Sequence, residues 1–116
     1  MCSSDLLGTH LDWLACLPLT HTDEHRIYVH AGLNHDLPLS AQSDDLMLWK
    51  LYGPHEEEDF RGRHVVHGHH HFANGPILKA KRTNLDTFAW STGRIAIGVF
   101  DDVRPGGPIE VLWAVA

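Results

Sequence analysis

Apolar residues recur along this chain at two spacings, and the switches between them mark its elements. Over His10-Leu-Asp-Trp-Leu-Ala-Cys-Leu17 they fall at 11, 13, 14 and 17, close to helical spacing, and Pro18 ends the run. This segment reads as the last turns of a helix. A second helix is predicted over Asp44–Leu51: Ser43 can cap it, acids fill its first turn, and Gly53-Pro54 breaks the chain beyond it. Short β-branched runs predict strands over Arg26–His30 and Arg63–His67. The remainder reads as consecutive strands over Asn84–Phe88, Arg94–Phe100 and Ile109–Val115, with turns at Ser91–Gly93 and Asp101–Pro108. Residues 37–42 read as irregular, and Glu56–Asp59 as a solvated loop.

Helices early and strands late predict a mixed α/β (α+β) fold in which a sheet is partly covered on one face. A length of 116 residues is one domain's worth. The four tryptophans and the apolar C-terminal strand predict a core that expects a second sheet, leaving Trp90, Val99 and Trp113 short of cover.

Charge and composition narrow the function. The net charge of −6 argues against a nucleic-acid partner, because phosphate contacts need a basic face. No apolar run approaches the roughly 20 residues that cross a bilayer, so no membrane partner is expected. Cys2 and Cys16 are too few for a disulfide scaffold, which makes a reducing cytoplasm the expected setting. Met1–Leu6 reads as the translation of a sequencing-adapter end with GTG as start, so 1–6 is expected to be a non-native leader and 7–116 part of one domain.

Histidine is the outlying residue type: there are 11, five of them between His64 and His71. Tyr28-Val-His-Ala-Gly32 and His64-Val-Val-His-Gly-His-His-His71 each set a histidine just past a β-branched run, where a strand gives way to a loop. A strand end fixes the backbone, and the following glycine lets it turn tightly, which suits a metal ligand. His30 and His69, 39 residues apart, are therefore expected to face one metal site. In an extended segment His71 and His67 share the face of His69, while His70 points away. A different reading takes His64, His67, His69, His70 and His71 as a metal-binding module without catalysis.

The ordered set Val-His-Ala-Gly-Leu, Leu-Trp, Val-Val-His-Gly-His and Asn-Leu-Asp-Thr-x-Ala-x-x-Thr-Gly-Arg resembles the calcineurin-like metallophosphoesterases, closest to bacterial phosphatases of the serine/threonine protein phosphatase type. The resemblance covers residues 10 to 116. It implies the C-terminal half of a four-layer αββα sandwich with a mixed sheet and flanking helices. It also implies a dinuclear centre of manganese, iron or zinc whose bridging hydroxide attacks phosphorus. Within that pattern His30 and His69 match ligands of the second metal, and His71 matches a first-metal ligand of more distant relatives. Asp86 matches an aspartate with a structural or ligand-orienting role. Lys50 stands in for a phosphate-clamping arginine expected where Leu51 lies, offering a point charge rather than a bidentate fork. Phe88 replaces the usual glycine of the aspartate motif.

The family's Gly-Asp-x-His-Gly, Gly-Asp-x-x-Asp and Gly-Asn-His-Glu/Asp motifs do not occur. With them go the bridging aspartate and the general-acid histidine, so no residue here is assigned a catalytic role. Phosphate-monoester hydrolysis asks for accelerations of up to about 10²¹-fold, and two or three imidazoles cannot supply that. The resemblance therefore implies an inactive fragment whose partners are the N-terminal half of its own domain and a phosphoprotein or small phosphoester. Dinucleoside polyphosphates, with diadenosine tetraphosphate as the example, are the alternative substrate class.

Overall fold

A computed structural model describes residues 9–116; the expectation for the leader lies outside the described residues. In chain order the elements are α1 (His10–Ala15), β1 (Thr20–Thr22), β2 (Arg26–Val29), α2 (Asp44–Trp49), β3 (His64–His67), β4 (Ile77–Leu78), β5 (Arg82–Asn84), α3 (Ala89–Thr92), β6 (Arg94–Val99) and β7 (Glu110–Val115). The mixed α/β class expected from the sequence is present. A five-stranded sheet runs in the order β1-β2-β3-β5-β4, and β6 pairs with β7 as a separate two-stranded sheet. Strands β2, β3 and β5 are parallel, while β1 and β4 close the two edges antiparallel.

The central strands are buried on both faces except at the half-buried Tyr28, and the two faces differ in chemistry. Ile27, Val29 and Val65 meet Leu33, Met47 and Phe60 in the hydrophobic core, with Leu19 packed at its margin. Helix α2 lies over this face through Met47, its one buried residue. Ser43 caps α2 as expected, accepting from the Leu46 N–H at 3.2 Å. The opposite face carries Arg26, Tyr28 and His64, covered by the loop that joins β6 to β7. There the fully buried Arg26 donates to the carbonyls of Gly106 (2.8 Å), Asp101 (3.1 Å) and Arg104. Its guanidinium also stands 4.9 Å from the Phe100 ring centroid.

Several expectations need correction. Helix α1 is not the end of a longer helix: Thr9, with extended backbone, caps its first turn by accepting from the Asp12 N–H at 3.2 Å. The strand expected over Asn84–Phe88 is instead β5, ending at Asn84. Beyond it Phe88 takes a left-handed backbone (φ 57°) that no strand tolerates, and α3 occupies the expected turn. Strands β1 and β4 escaped the pattern because both are short edges, and β1 is the polar run Thr-His-Thr. An Asx turn sets β1 against β2, with Asp23 Oδ1 accepting from the N–H groups of His25 (3.0 Å) and Arg26 (2.7 Å).

The tryptophans are the largest departure. Exposures of 53% for Trp13, 67% for Trp49, 79% for Trp90 and 44% for Trp113 place none of the four in the core. Short cover at Trp90 and Trp113 agrees with the expectation, and Val99 is half-buried. Ile95, Ile97, Leu112 and Val115 of the hairpin are also exposed.

Candidate metal centre

Parallel strands deliver their carboxyl ends to one edge of a sheet, which is where open α/β sheets bind ligands. Here that edge carries His30 after β2, Gly68–His71 after β3 and Asp86 after β5. The β2–β3 ladder continues past both strands, since the Gly68 N–H donates to the His30 carbonyl at 2.8 Å. That bond sets the neighbouring histidine rings side by side: the centroids of His30 and His69 are 5.1 Å apart. His69 has φ 69°, a left-handed backbone that only the surrounding loop can hold in a non-glycine residue. The Trp49 and His69 rings stand nearly perpendicular, with 5.4 Å between centroids. Burial, and then the neighbouring His69, hold the His30 imidazole below its ordinary value, while Asp86 acts against them.

His71 lies beside His69, with ring centroids 6.2 Å apart. Its Nδ1 donates to Asp86 Oδ2 at 3.0 Å. A carboxylate on one ring nitrogen fixes the tautomer and leaves Nε2 outward as a ligand atom. Asp86 is itself held, because Oδ1 accepts from the Phe88 N–H at 2.8 Å. The Phe88 ring stacks on His71, with 5.2 Å between centroids and 28° between planes.

The expectation that His67 shares this face does not hold. Its side chain is buried: Nδ1 donates to the Gly68 carbonyl (2.9 Å) and Nε2 accepts from Arg82 (2.8 Å). Burial, with the Arg82 charge in support, pushes it down to about 4. His64 is engaged in the same way, Nδ1 donating to the Ala80 carbonyl (3.2 Å) and Nε2 accepting from Thr83 Oγ1 (2.7 Å). Both imidazoles are spent on the fold, so a module using all five histidines of the run loses two of its ligands.

Lys50 is placed elsewhere. Its ammonium donates to the Leu33 carbonyl at 2.8 Å, pairs with Glu56 at 3.5 Å and lies 4.4 Å from the Tyr52 ring centroid. It lines a cavity of about 250 Å³ with His35, Asp36, Glu56 and Glu58, a negatively charged setting that none of His30, His69 and His71 enters. Leu51, where the resemblance places an arginine, is 59% exposed. Glu56, Glu57 and Glu58 are solvent-exposed as expected, while Asp59 is half-buried; Glu56 and Glu57 each hold a lysine, Lys50 and Lys79.

Sequence reading missed Asn84 as a positioning residue. Buried at the end of β5, it donates to the His70 carbonyl (2.8 Å) and accepts from the Asp86 N–H (3.0 Å), tying the histidine loop to the aspartate. The available signal was Asn two residues before Asp, the spacing of an Asx turn.

The donor set fits part of a metal centre. His30 and His69 stand as two neighbouring imidazoles with His71 beside them, but among the described residues no group of three histidine, cysteine or acidic side chains is arranged to hold an ion. Comparison of the chain with protein-family models, curated proteins and solved structures finds no match. Among the described residues no helix is long and apolar enough to cross a membrane.

Proposed function

We propose that this chain is the C-terminal part of a calcineurin-like metallophosphoesterase domain that hydrolyses phosphate esters, of the serine/threonine phosphoprotein phosphatase type. The observation that carries the reading is the pairing of His30 and His69 at the carboxyl ends of adjacent parallel strands, 5.1 Å apart. When bound, a divalent metal pair of manganese, iron or zinc would supply the hydroxide nucleophile, with His30 and His69 holding one ion. This chain's own contribution is positional. Asp86 orients His71, Asn84 fixes the loop between them, and the left-handed backbone of His69 aims its ring. Phe88 supports the same reading, since its φ of 57° is the conformation that the motif's usual glycine would favour.

The exposed faces of β6, β7 and α1 are where the other half of a four-layer sandwich would lie. That half would bring the bridging carboxylate and the general acid, so the chain by itself is inactive. Lys50 serves a substrate phosphate only if its ammonium leaves the Leu33 carbonyl. A cytoplasmic setting belongs to the same reading.

Zinc and manganese titrations of the chain test the site. Both ions should bind with a stoichiometry of one, and His30→Ala and His69→Ala should each weaken affinity at least about tenfold. Binding that survives His30→Ala but falls with His70→Ala would replace this reading with a non-catalytic histidine module. In a chain extended upstream to carry the missing motifs, turnover of a phosphoserine peptide against diadenosine tetraphosphate separates the two substrate classes.

A further inference from the structure

Beside the segment that joins β3 to β4 lies a cavity of about 400 Å³, within the range of small-molecule sites and lined by none of His30, His69 and His71. Its walls are mainly apolar: Tyr52, Pro54, Phe72 and Ile77, with the His70 ring packed on Phe72 at 4.4 Å. Arg82 also lines it, although only 5% of that residue is exposed.

The state of Arg82 makes the cavity informative. Nε donates to the Glu56 carbonyl (3.0 Å), Nη1 to His67 (2.8 Å), and the guanidinium lies over the Tyr52 ring at 4.4 Å. Nη2 makes no hydrogen bond within the described residues, and it is not sealed off, since no buried side-chain nitrogen or oxygen among them lacks a partner. Its N–H groups therefore reach open space, and the cavity is the space that Arg82 lines. Among the described residues no carboxylate forms an ion pair with Arg82. The carboxylates of Glu56 and Glu57 favour the charged guanidinium without bonding it, and each is held by a lysine, so an anion at the free edge would give Arg82 a direct partner.

The remaining charges set the class of anion. Lys79 at the rim is already bound to Glu57 (3.0 Å) and to the Pro54 carbonyl (2.9 Å), so the pair cancels. One unmatched positive charge among aromatic and aliphatic walls selects a monoanion with a flat apolar body. We propose that this cavity is a binding site for a small aromatic carboxylate, whose carboxylate meets the Nη2 edge of Arg82 while its ring lies among Tyr52, Phe72 and Ile77. It is independent of the metal centre and uses His70, the one histidine of the 69–71 run turned away from it.

Titration of the isotope-labelled chain with benzoate, followed by NMR, tests this. The Arg82 side-chain resonance and the amides of Gly53, Phe72 and Ile77 should shift together and saturate. Benzamide, which keeps the ring and loses the charge, should bind at least about tenfold more weakly. Arg82→Met should weaken benzoate by a similar factor. Ile77→Trp, which fills the cavity from the edge strand and leaves Arg82 and His67 in place, should abolish binding. Should Arg82→Met fail to fold, Ile77→Trp and the benzamide comparison decide. Shifts that never saturate, equal binding of benzamide, or unchanged binding in Ile77→Trp would each overturn the proposal.

Discussion

Arg26 ties the loop of the β6–β7 hairpin to the main sheet through three hydrogen bonds, and its replacement by methionine should release that hairpin. Among the described residues the hairpin strands pair only with each other, so attachment to the main sheet depends on side chains. Arg26→Met keeps most of the buried stem but removes three charge-assisted donors, to the carbonyls of Asp101, Arg104 and Gly106. Bonds of this kind contribute about 1.5–3 kcal/mol each, or roughly 5–9 kcal/mol together. The loop carbonyls recover part of that by taking water once the loop lifts, since Arg104 is exposed. The expected net cost is about 4 kcal/mol, a large fraction of the roughly 5–15 kcal/mol that holds a domain together.

Hydrogen exchange reads the effect directly. The Ile109 N–H, bonded to the Val99 carbonyl at 2.8 Å, closes the base of the loop. Its protection should fall by about three orders of magnitude. The Val65 amide, which bonds to the Lys81 carbonyl inside the main sheet, should lose much less. Arg26→Lys should behave like the methionine variant, because one ammonium cannot reach three diverging carbonyls. Wild-type protection at Ile109 in Arg26→Met would refute the reasoning.

Two further outcomes follow from buried contacts. A Cβ at Gly75 would strike the Asp86 carbonyl oxygen and come within 3.1 Å of the Phe72 carbonyl; both are backbone and cannot swing aside. Gly75→Ala should therefore cost about 1–3 kcal/mol in denaturant unfolding and disturb the His71–Asp86 bond, seen as a changed His71 ring nitrogen shift. His64 should make stability depend on pH. Burial holds its imidazole below the ordinary 6.5, the Arg26 charge adds to this, and its bond to the Ala80 carbonyl opposes it. The unfolded chain takes up that proton first, so the contribution is full above about pH 6.5 and is lost as pH falls. The denaturation midpoint should drop on the acid side, and His64→Gln should flatten part of that slope; parallel slopes would exclude a role for His64.

What the sequence determined by itself is local. Ser43 before two acids, the apolar spacing of 44–49, and the β-branched runs 26–29 and 64–67 each encode their element, because capping and alternation act between neighbours. The positions of His30 and His69 at strand ends were legible for the same reason. Tertiary structure decided the rest. The periodicity that puts His67 and His69 on one face fails because the β3 strand ends at His67, and the left-handed turn at His69 then rotates the chain. Whether a polar residue is ligand or scaffold depends on what another strand brings to it: Arg82 claims His67, Thr83 claims His64, and Leu33 and Glu56 hold Lys50. Asp86 reaches His71 only because β5 pairs beside β3. These are contacts between distant segments, set by sheet order and register, and no spacing along one strand records them.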